Sequence, residues 1–586
     1  MDRRVVVTML VMMAFFMAVS YLYPLIFPPP AKAPGAGPGL SGPSGEAASR
    51  EIPAEPAPSA APGASAAPAA DAEGGAPAPP EVVWTSPPAD ILVDTPEYLA
   101  VFTEDGARLK SFKLKKYMSW KMDSEDPDVF QELVNIPPGR GLDDDLPLRL
   151  LVANGGARLN FSHFRFGADK TSVLVSEGGS ASLTFSGADS SGLMVKRVFT
   201  FRAGSYLLEQ RVLLENRGGA PVKGSVGMEL LGFPFSKREN RYNVVAARLD
   251  NGFLTESVDD AEDELKDLGE LRQASFLGYM DQYFLSAFLF PEGAAAALVP
   301  EDDPRTLALA AREARGTTGV RLEAFRTLDL APGASASYAF DLYYGPKDQK
   351  ALDLAGHELS RTIDLGWFAF LAKPLAWLLR SFYGFVGNYG VAIILVTILI
   401  KIVLWPLTAK SYRSMKQMQK LQPLMKDLRE KYKGDPQGMN REMLHLYKTF
   451  KVSPLGGCLP MILQIPFFIA FYRVLDYALE LRGAPFALWI YDLSSPDRLF
   501  HFDFSIPFVA QPTGIPVLTL LMGATMIWQQ KMTPVMGDPM QAKIMMMLPL
   551  IFIVALLNMP AGLVLYWLVN NILSIVQQKL INRPEK

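Results

Sequence analysis

The chain has 586 residues, enough for several domains, and its 57 Lys and Arg against 60 Asp and Glu leave a net charge of −3. That balance leaves no electrostatic footprint for nucleic acid, and no direct DNA binding is expected. A single cysteine, Cys458, excludes an intrachain disulfide, and His163, His357, His445 and His501 are too far apart for metal-ligand spacing, so no metal is expected.

Residues 1–27 open with Asp2, Arg3 and Arg4, followed by a charge-free run from Val5 to Phe27. The run exceeds the usual ~7–15-residue signal core and no small-x-small cleavage site follows, so an uncleaved transmembrane anchor is expected. Arg3 and Arg4 keep its N-terminus in the cytoplasm. Residues 28–81 are rich in Pro, Ala, Gly and Ser and nearly lack large apolar side chains. Such a stretch cannot bury enough surface to offset its ordering entropy, and reads as a disordered linker.

Residues 82–347 change character. Tyr206, Leu208, Val212 and Leu214 fall on one face of a period-two pattern, with Glu209, Arg211 and Glu215 on the other. Tyr338, Phe340, Leu342 and Tyr344 repeat it, and turn signals at 202–205 and 216–219 punctuate it. This predicts a large all-β sandwich, placed across the membrane from the anchor's N-terminus. The acidic patch from Glu256 to Glu270 reads as a surface loop or helix.

Residues 364–386 are aromatic and amphipathic, with Lys373 and Arg380 as their basic residues and Pro374 as an interruption. They read as an interfacial helix on the membrane surface; a plain span is the alternative. Asn388 to Leu407 is long enough to cross a ~30 Å hydrocarbon core. It carries Lys401, with Thr397 four residues earlier on the same face. A charge at membrane depth costs at least ~2.5 kcal/mol and is a functional-site hypothesis by default.

Thr408 to Lys451 holds eleven Lys or Arg against four acids, which places it in the cytoplasm. Apolar residues recur at three- and four-residue steps on either side of the Gly434-Asp435-Pro436 break, predicting a helical hairpin over 411–451. Its methionines, Met415, Met418, Met425, Met439 and Met443, are flexible side chains suited to promiscuous contacts, or else they pack on one another. Further spans are predicted over 454–474, with Gln464 at its middle, and over 512–531, after an acidic outer loop. Residues 544–578 lack any charge and break at Asn558-Met559-Pro560, giving two short spans over 544–557 and 560–578. The count is six spans with both termini cytoplasmic. Short spans thin the bilayer or are packed in protein.

Polar residues recur at membrane depth, among them Thr397, Lys401, Gln464, Thr519, Thr525, Asn570 and Asn571, joined by Tyr566 and Trp567. Groups this costly in lipid should converge on a wet cavity. The pattern alone does not say whether the cavity is a channel, a transporter site or something else.

Gly387-Asn388-Tyr389-Gly390, Pro406-Leu407-Thr408, residues 455–460 (LGGCLP), 464–468 (QIPFF), the loop 480–486 (ELRGAPF) with 489–494 (WIYDLS), and 560–567 (PAGLVLYW) resemble the YidC/Oxa/Alb family of membrane protein insertases. They run in the family's order over residues 388–582, the expected five-helix insertase core. The anchor and the large outer domain resemble the family's Gram-negative branch, which implies a β-supersandwich similar to sugar mutarotases. Residues 278–284 (GYMDQYF) and 344–347 (YGPK) carry that weaker match.

The resemblance implies an α-helical polytopic membrane domain with a periplasmic sandwich, in a bacterial inner membrane. It implies an insertase and chaperone for nascent membrane proteins, acting alone or with the Sec translocon. It also implies contact with lipid, and with the ribosome and signal-recognition-particle pathway; the short C-terminal tail puts the ribosome contact in question. Lys401 occupies the position of the family's groove cation, often arginine, and Thr397, Gln464, Tyr566, Trp567 and Asn570 fall among groove positions. Lysine keeps the charge and loses the bidentate fork. No Gly-rich phosphate loop is present, so neither a nucleotide nor another cofactor is expected, and the family reading is not enzymatic.

Two alternatives stand beside this reading. Lys401 lies six residues before Leu407, roughly 9 Å from the helix end, within reach of a lysine that snorkels to water. A polytopic transporter or channel with a mutarotase-like sugar-binding outer domain is the rival function. It wants an internal repeat or a second intramembrane charge, and sugar chemistry wants a His beside an acid; His163 is the single histidine of residues 82–347.

Overall fold

The computed structural model describes residues 87–582, apart from 120–129, 135–145, 155–156, 162–163, 236–242, 250–251, 258–273, 291–307, 314–319, 451–458, 533–538 and several positions between 503 and 512. The expected anchor and linker, most of the acidic patch, and His163 lie outside the described residues.

Among the described residues, those between 90 and 346 form three sheets of five, ten and five strands, nearly all antiparallel. In strand Leu207–Asn216, Leu208, Val212 and Leu214 are buried while Glu209, Arg211 and Leu213 face outward, the expected alternation. Strand Asp341–Pro346 departs from it. From Leu342 onward every residue is buried, because this central strand pairs with Phe284–Leu289 and Leu207–Asn216 and is covered on both faces. A strand buried on both sides loses the period-two signal.

The sheets meet through aromatic side chains: the Phe102 ring lies 4.8 Å from Phe199 and 6.3 Å from Phe185. Buried among them is Arg197, whose guanidinium donates to the carbonyls of Gly106 (2.7 Å) and Leu148 (3.0 Å) and so ties the three sheets together. In the third sheet Glu229 is fully buried. It is held by Arg149 (2.6 Å) on one neighbouring strand and Arg321 (2.8 Å) on the other.

Among the described residues, eight α-helices follow. They are α1 (Gln349–Ala355), α2 (Ala369–Val386), α3 (Tyr389–Lys431), α4 (Pro436–Thr449), α5 (Leu459–Tyr477), α6 (Val517–Met532), α7 (Pro539–Leu556) and α8 (Ala561–Asn582). Asp348 caps α1 by accepting from the Lys350 and Ala351 amides, and Asn388 caps α3 by accepting from Val391. α2 buries Ala372, Leu375 and Leu379 against its neighbours and exposes Phe370, Trp377 and Phe385. α8 packs on α3 and α6, α7 packs on α6, and α2 packs on α3 and α5.

α3 does not end near Leu407. It runs unbroken through Pro406 and Pro423 to Lys431, so the expected span and the first hairpin helix are one element. Proline frees a carbonyl and crowds the preceding turn, yet nearby acceptors find donors. Thr408 Oγ1 donates to Leu404 O at 2.9 Å and Gln577 Nε2 to Trp405 O at 3.3 Å. Among the described residues α3 is the one helix long and apolar enough by itself to cross a membrane.

The helix ends nearest the β region are pinned by the α5–α6 connection. Asp497 accepts from Trp489 Nε1 (2.6 Å) and from the Leu518 amide at the start of α6. Arg498 donates to Leu557 O (2.9 Å) and Asn558 Oδ1 (3.3 Å) in the α7–α8 turn. The β region docks on this same end. Arg482 donates to Met118 O (2.7 Å) and Gln131 Oε1 (2.6 Å), and Gln282 Nε2 donates to the Asp476 carbonyl (2.5 Å). Lys347 Nζ donates to Asp281 O at 3.0 Å and sits over the Tyr477 ring. Burial lowers the Lys347 ammonium to about 8 and raises the Asp281 carboxyl.

Candidate functional site

Ile393 abuts Gly562, and Thr408 meets Gln577 (2.8 Å) the same number of residues further along each helix, so α3 and α8 run parallel and in register. In that register Lys401 is level with Asn570. Its ammonium nevertheless donates to Ser574 Oγ at 2.7 Å, one turn nearer the basic hairpin. Ser574 Oγ donates in turn to the Asn570 carbonyl at 2.7 Å. Lys401 therefore leans along the helix axis while remaining only 5% exposed.

Other polar groups continue the column. Tyr412 is buried further along α3. Asn571 Nδ2 donates to Thr525 Oγ1 at 3.4 Å, joining α8 to α6, and Gln578 Nε2 donates to Met532 O at 3.0 Å. Every rung uses α8, whose Asn570, Asn571, Ser574, Gln577 and Gln578 recur at helical spacing.

The other sequence-predicted residues divide. Thr397 is buried on the Lys401 face, but its hydroxyl donates to Ile393 O (2.6 Å) within its own helix. Tyr566 and Trp567 belong to an aromatic cluster: Phe471 lies 5.1 Å from Tyr566, and Phe468 and Phe552 lie 4.6 and 5.0 Å from Trp567. Gln464 is half-buried on α5, which also carries Phe468 and Phe471. Asn570 contributes its carbonyl to the Lys401–Ser574 pair. Of the hairpin methionines, Met418 and Met425 pack with Leu421 against Met443, Leu446 and Tyr447, so those faces meet each other. Met415 is buried and Met439 half-buried. Among the described residues no group of His, Cys, Asp and Glu could hold a metal.

Sequence reasoning missed Ser574, Gln577 and Gln578. The signal was present in the polar stripe of α8, but short uncharged side chains do not stand out until a partner helix is known.

Two family models match the chain: one described as 60Kd inner membrane protein, over residues 381–586, and one as YidC periplasmic domain, over residues 90–378. The chain is similar to the membrane protein insertase YidC of Geobacter metallireducens, at 39% identity over 601 residues, covering 100% of this chain and 98% of that protein. The same-named protein of Citrifermentans bemidjiense is 38% identical over 594 residues, with 100% and 99% covered; that of Pelobacter propionicus is 40% identical over 512 residues, with 86% and 88% covered. A solved structure described as active YidC insertase aligns over 85% of this chain and 95% of its own, at 18% identity and a TM-score of 0.34, so the relationship rests on the sequence relatives.

Proposed function

The chain belongs to the YidC family of membrane protein insertases, with a periplasmic β domain, and from that premise we propose that Lys401 receives the acidic, translocated segments of its substrates. The observation that carries this reading is the Lys401–Ser574 contact: a cation held inside the helix bundle and turned toward the basic, cytoplasmic hairpin. A substrate carboxylate brought within about 4 Å of it gains roughly 4 kcal/mol at the effective dielectric of a partly wet protein site. The polar rungs of α3, α6 and α8 shorten the dry path for the chain that follows. The substrate's apolar segment then partitions into lipid, at about 0.3–0.6 kcal/mol per Leu, Ile, Phe or Val. That release drives the step without a nucleotide.

In this reading Thr397, Gln464, Tyr566, Trp567 and Asn570 form the wall along which the substrate helix leaves. The protein sits in the inner membrane with both termini in the cytoplasm. The hairpin meets arriving chains, and the ribosome, through the apolar side chains it leaves exposed, Leu424, Leu444 and Phe450, rather than through its packed methionines. A Sec translocon and the signal-recognition-particle pathway supply the longer substrates.

The test is depletion of the resident insertase, complemented with Lys401→Arg, Lys401→Ala or Lys401→Glu. Arg is expected to support insertion and Glu to fail for substrates with acidic translocated tails. Equal insertion by the Glu and Lys proteins would refute the electrostatic role.

A further inference from the structure

A cavity of about 590 Å³ lies where the end of the β region, α2 and the outer end of α5 meet. Its wall carries four cations, Lys347, Arg361, Lys373 and Arg380, and three carboxylates, Asp348, Asp364 and Glu480. Most of these groups already have partners. Lys347 is bonded to Asp281 O and covered by Tyr477, and Arg361 pairs with Glu358 at 2.8 Å. Asp348 caps α1, and Asp364 accepts from the Gly366 amide.

Two cations remain available. Lys373 is exposed and has no ion pair among the described residues, and Arg380 reaches Glu480 only at 3.6 Å. They lie seven residues apart on one face of α2, two turns of helix, so both side chains can converge on one anion. The adjoining face exposes Phe370 and Trp377, with Phe385 (86% exposed) at its end. An anion-seeking stripe beside an exposed aromatic stripe, on a helix at the membrane boundary, is the arrangement that takes a headgroup on one side and acyl chains on the other.

We propose that this cavity binds an anionic phospholipid of the outer leaflet. The phosphate lies between Lys373 and Arg380, and the acyl chains run along Phe370 and Trp377. The lipid would fill the seam between the periplasmic domain and the membrane helices and fix α2 at its depth. The inference does not depend on the role of Lys401, because lipid binding is read without any insertion assay.

The experiment places the full chain in vesicles containing brominated phosphatidylglycerol or brominated phosphatidylcholine. Quenching of Trp377 is taken as the difference between the parent protein and Trp377→Phe. Two interfacial cations set the expected preference for the anionic lipid at roughly thirtyfold. The preference should vanish in Lys373→Ala/Arg380→Ala and survive in Lys373→Arg/Arg380→Lys, which keeps both charges. Soluble glycerol 3-phosphate should leave the quenching unchanged. Equal quenching by both lipids, or a preference that survives the double alanine variant, overturns the proposal. Displacement of the quenching lipid by glycerol 3-phosphate also overturns it, because the site would then read the phosphate alone.

Discussion

Ser574→Ala removes the hydroxyl that accepts from the Lys401 ammonium at 2.7 Å. Hydrogen bonds between membrane helices average about 0.6 kcal/mol and reach about 1.7. The charged donor puts this one near the top of that range, at about 1.5 kcal/mol, or roughly tenfold in the population of the positioned ammonium. Without Ser574, Lys401 already leans toward the hairpin and finds its next acceptors in water at that end. Substrates with acidic translocated tails should insert about tenfold more slowly into proteoliposomes, and substrates with neutral tails should not change. Ser574→Thr should restore the rate, because it restores the hydroxyl. The decisive measurement is a double-mutant cycle with Lys401→Met, which keeps volume and removes charge. If Ser574 acts through Lys401, the double variant is no slower than Lys401→Met alone, and the coupling is about 1.5 kcal/mol. Independent sites add to within about 0.5 kcal/mol, so losses that multiply in the double variant would refute the positioning role.

Two further outcomes concern the periplasmic domain. Glu229→Gln should destabilise it by about 3 kcal/mol, read as a shift in its denaturant midpoint, because Arg149 and Arg321 lose a fully buried carboxylate. Replacing all three residues with apolar ones of similar volume should be close to neutral, and equal losses for both variants would contradict this account. Burial lowers the Lys347 pKa to about 8, so between pH 8 and its ordinary 10.5 the unfolded chain binds more protons than the folded one. Stability should therefore rise with pH from 8 to about 9.5, by up to about 2 kcal/mol, and Lys347→Met should flatten the slope. Above pH 10 the sign reverses, since burial raises the hydroxyl pKa values of Tyr98, Tyr279 and Tyr344 and only the unfolded chain loses those protons.

The sequence by itself determined the order of segments and their class. Runs without charge, basic stretches and period-two patterns are local properties, and burial is repeated along each element. It marked Lys401 because a charge inside an apolar helix is conspicuous without any partner. The alternation of Leu208, Val212 and Leu214 was legible for the same reason, whereas strand Asp341–Pro346 lost its alternation because its neighbours cover both faces. Only the tertiary structure decided that α3 continues past Pro406 to Lys431, since a proline inside a packed helix bundle need not end a helix as it does in isolation. Lys401 leans one turn past the register-matched Asn570 to reach Ser574, while Thr397 bonds within its own helix. Which polar groups meet depends on how two helices are aligned, and that alignment is fixed by contacts such as Ile393 with Gly562, between residues far apart in the chain.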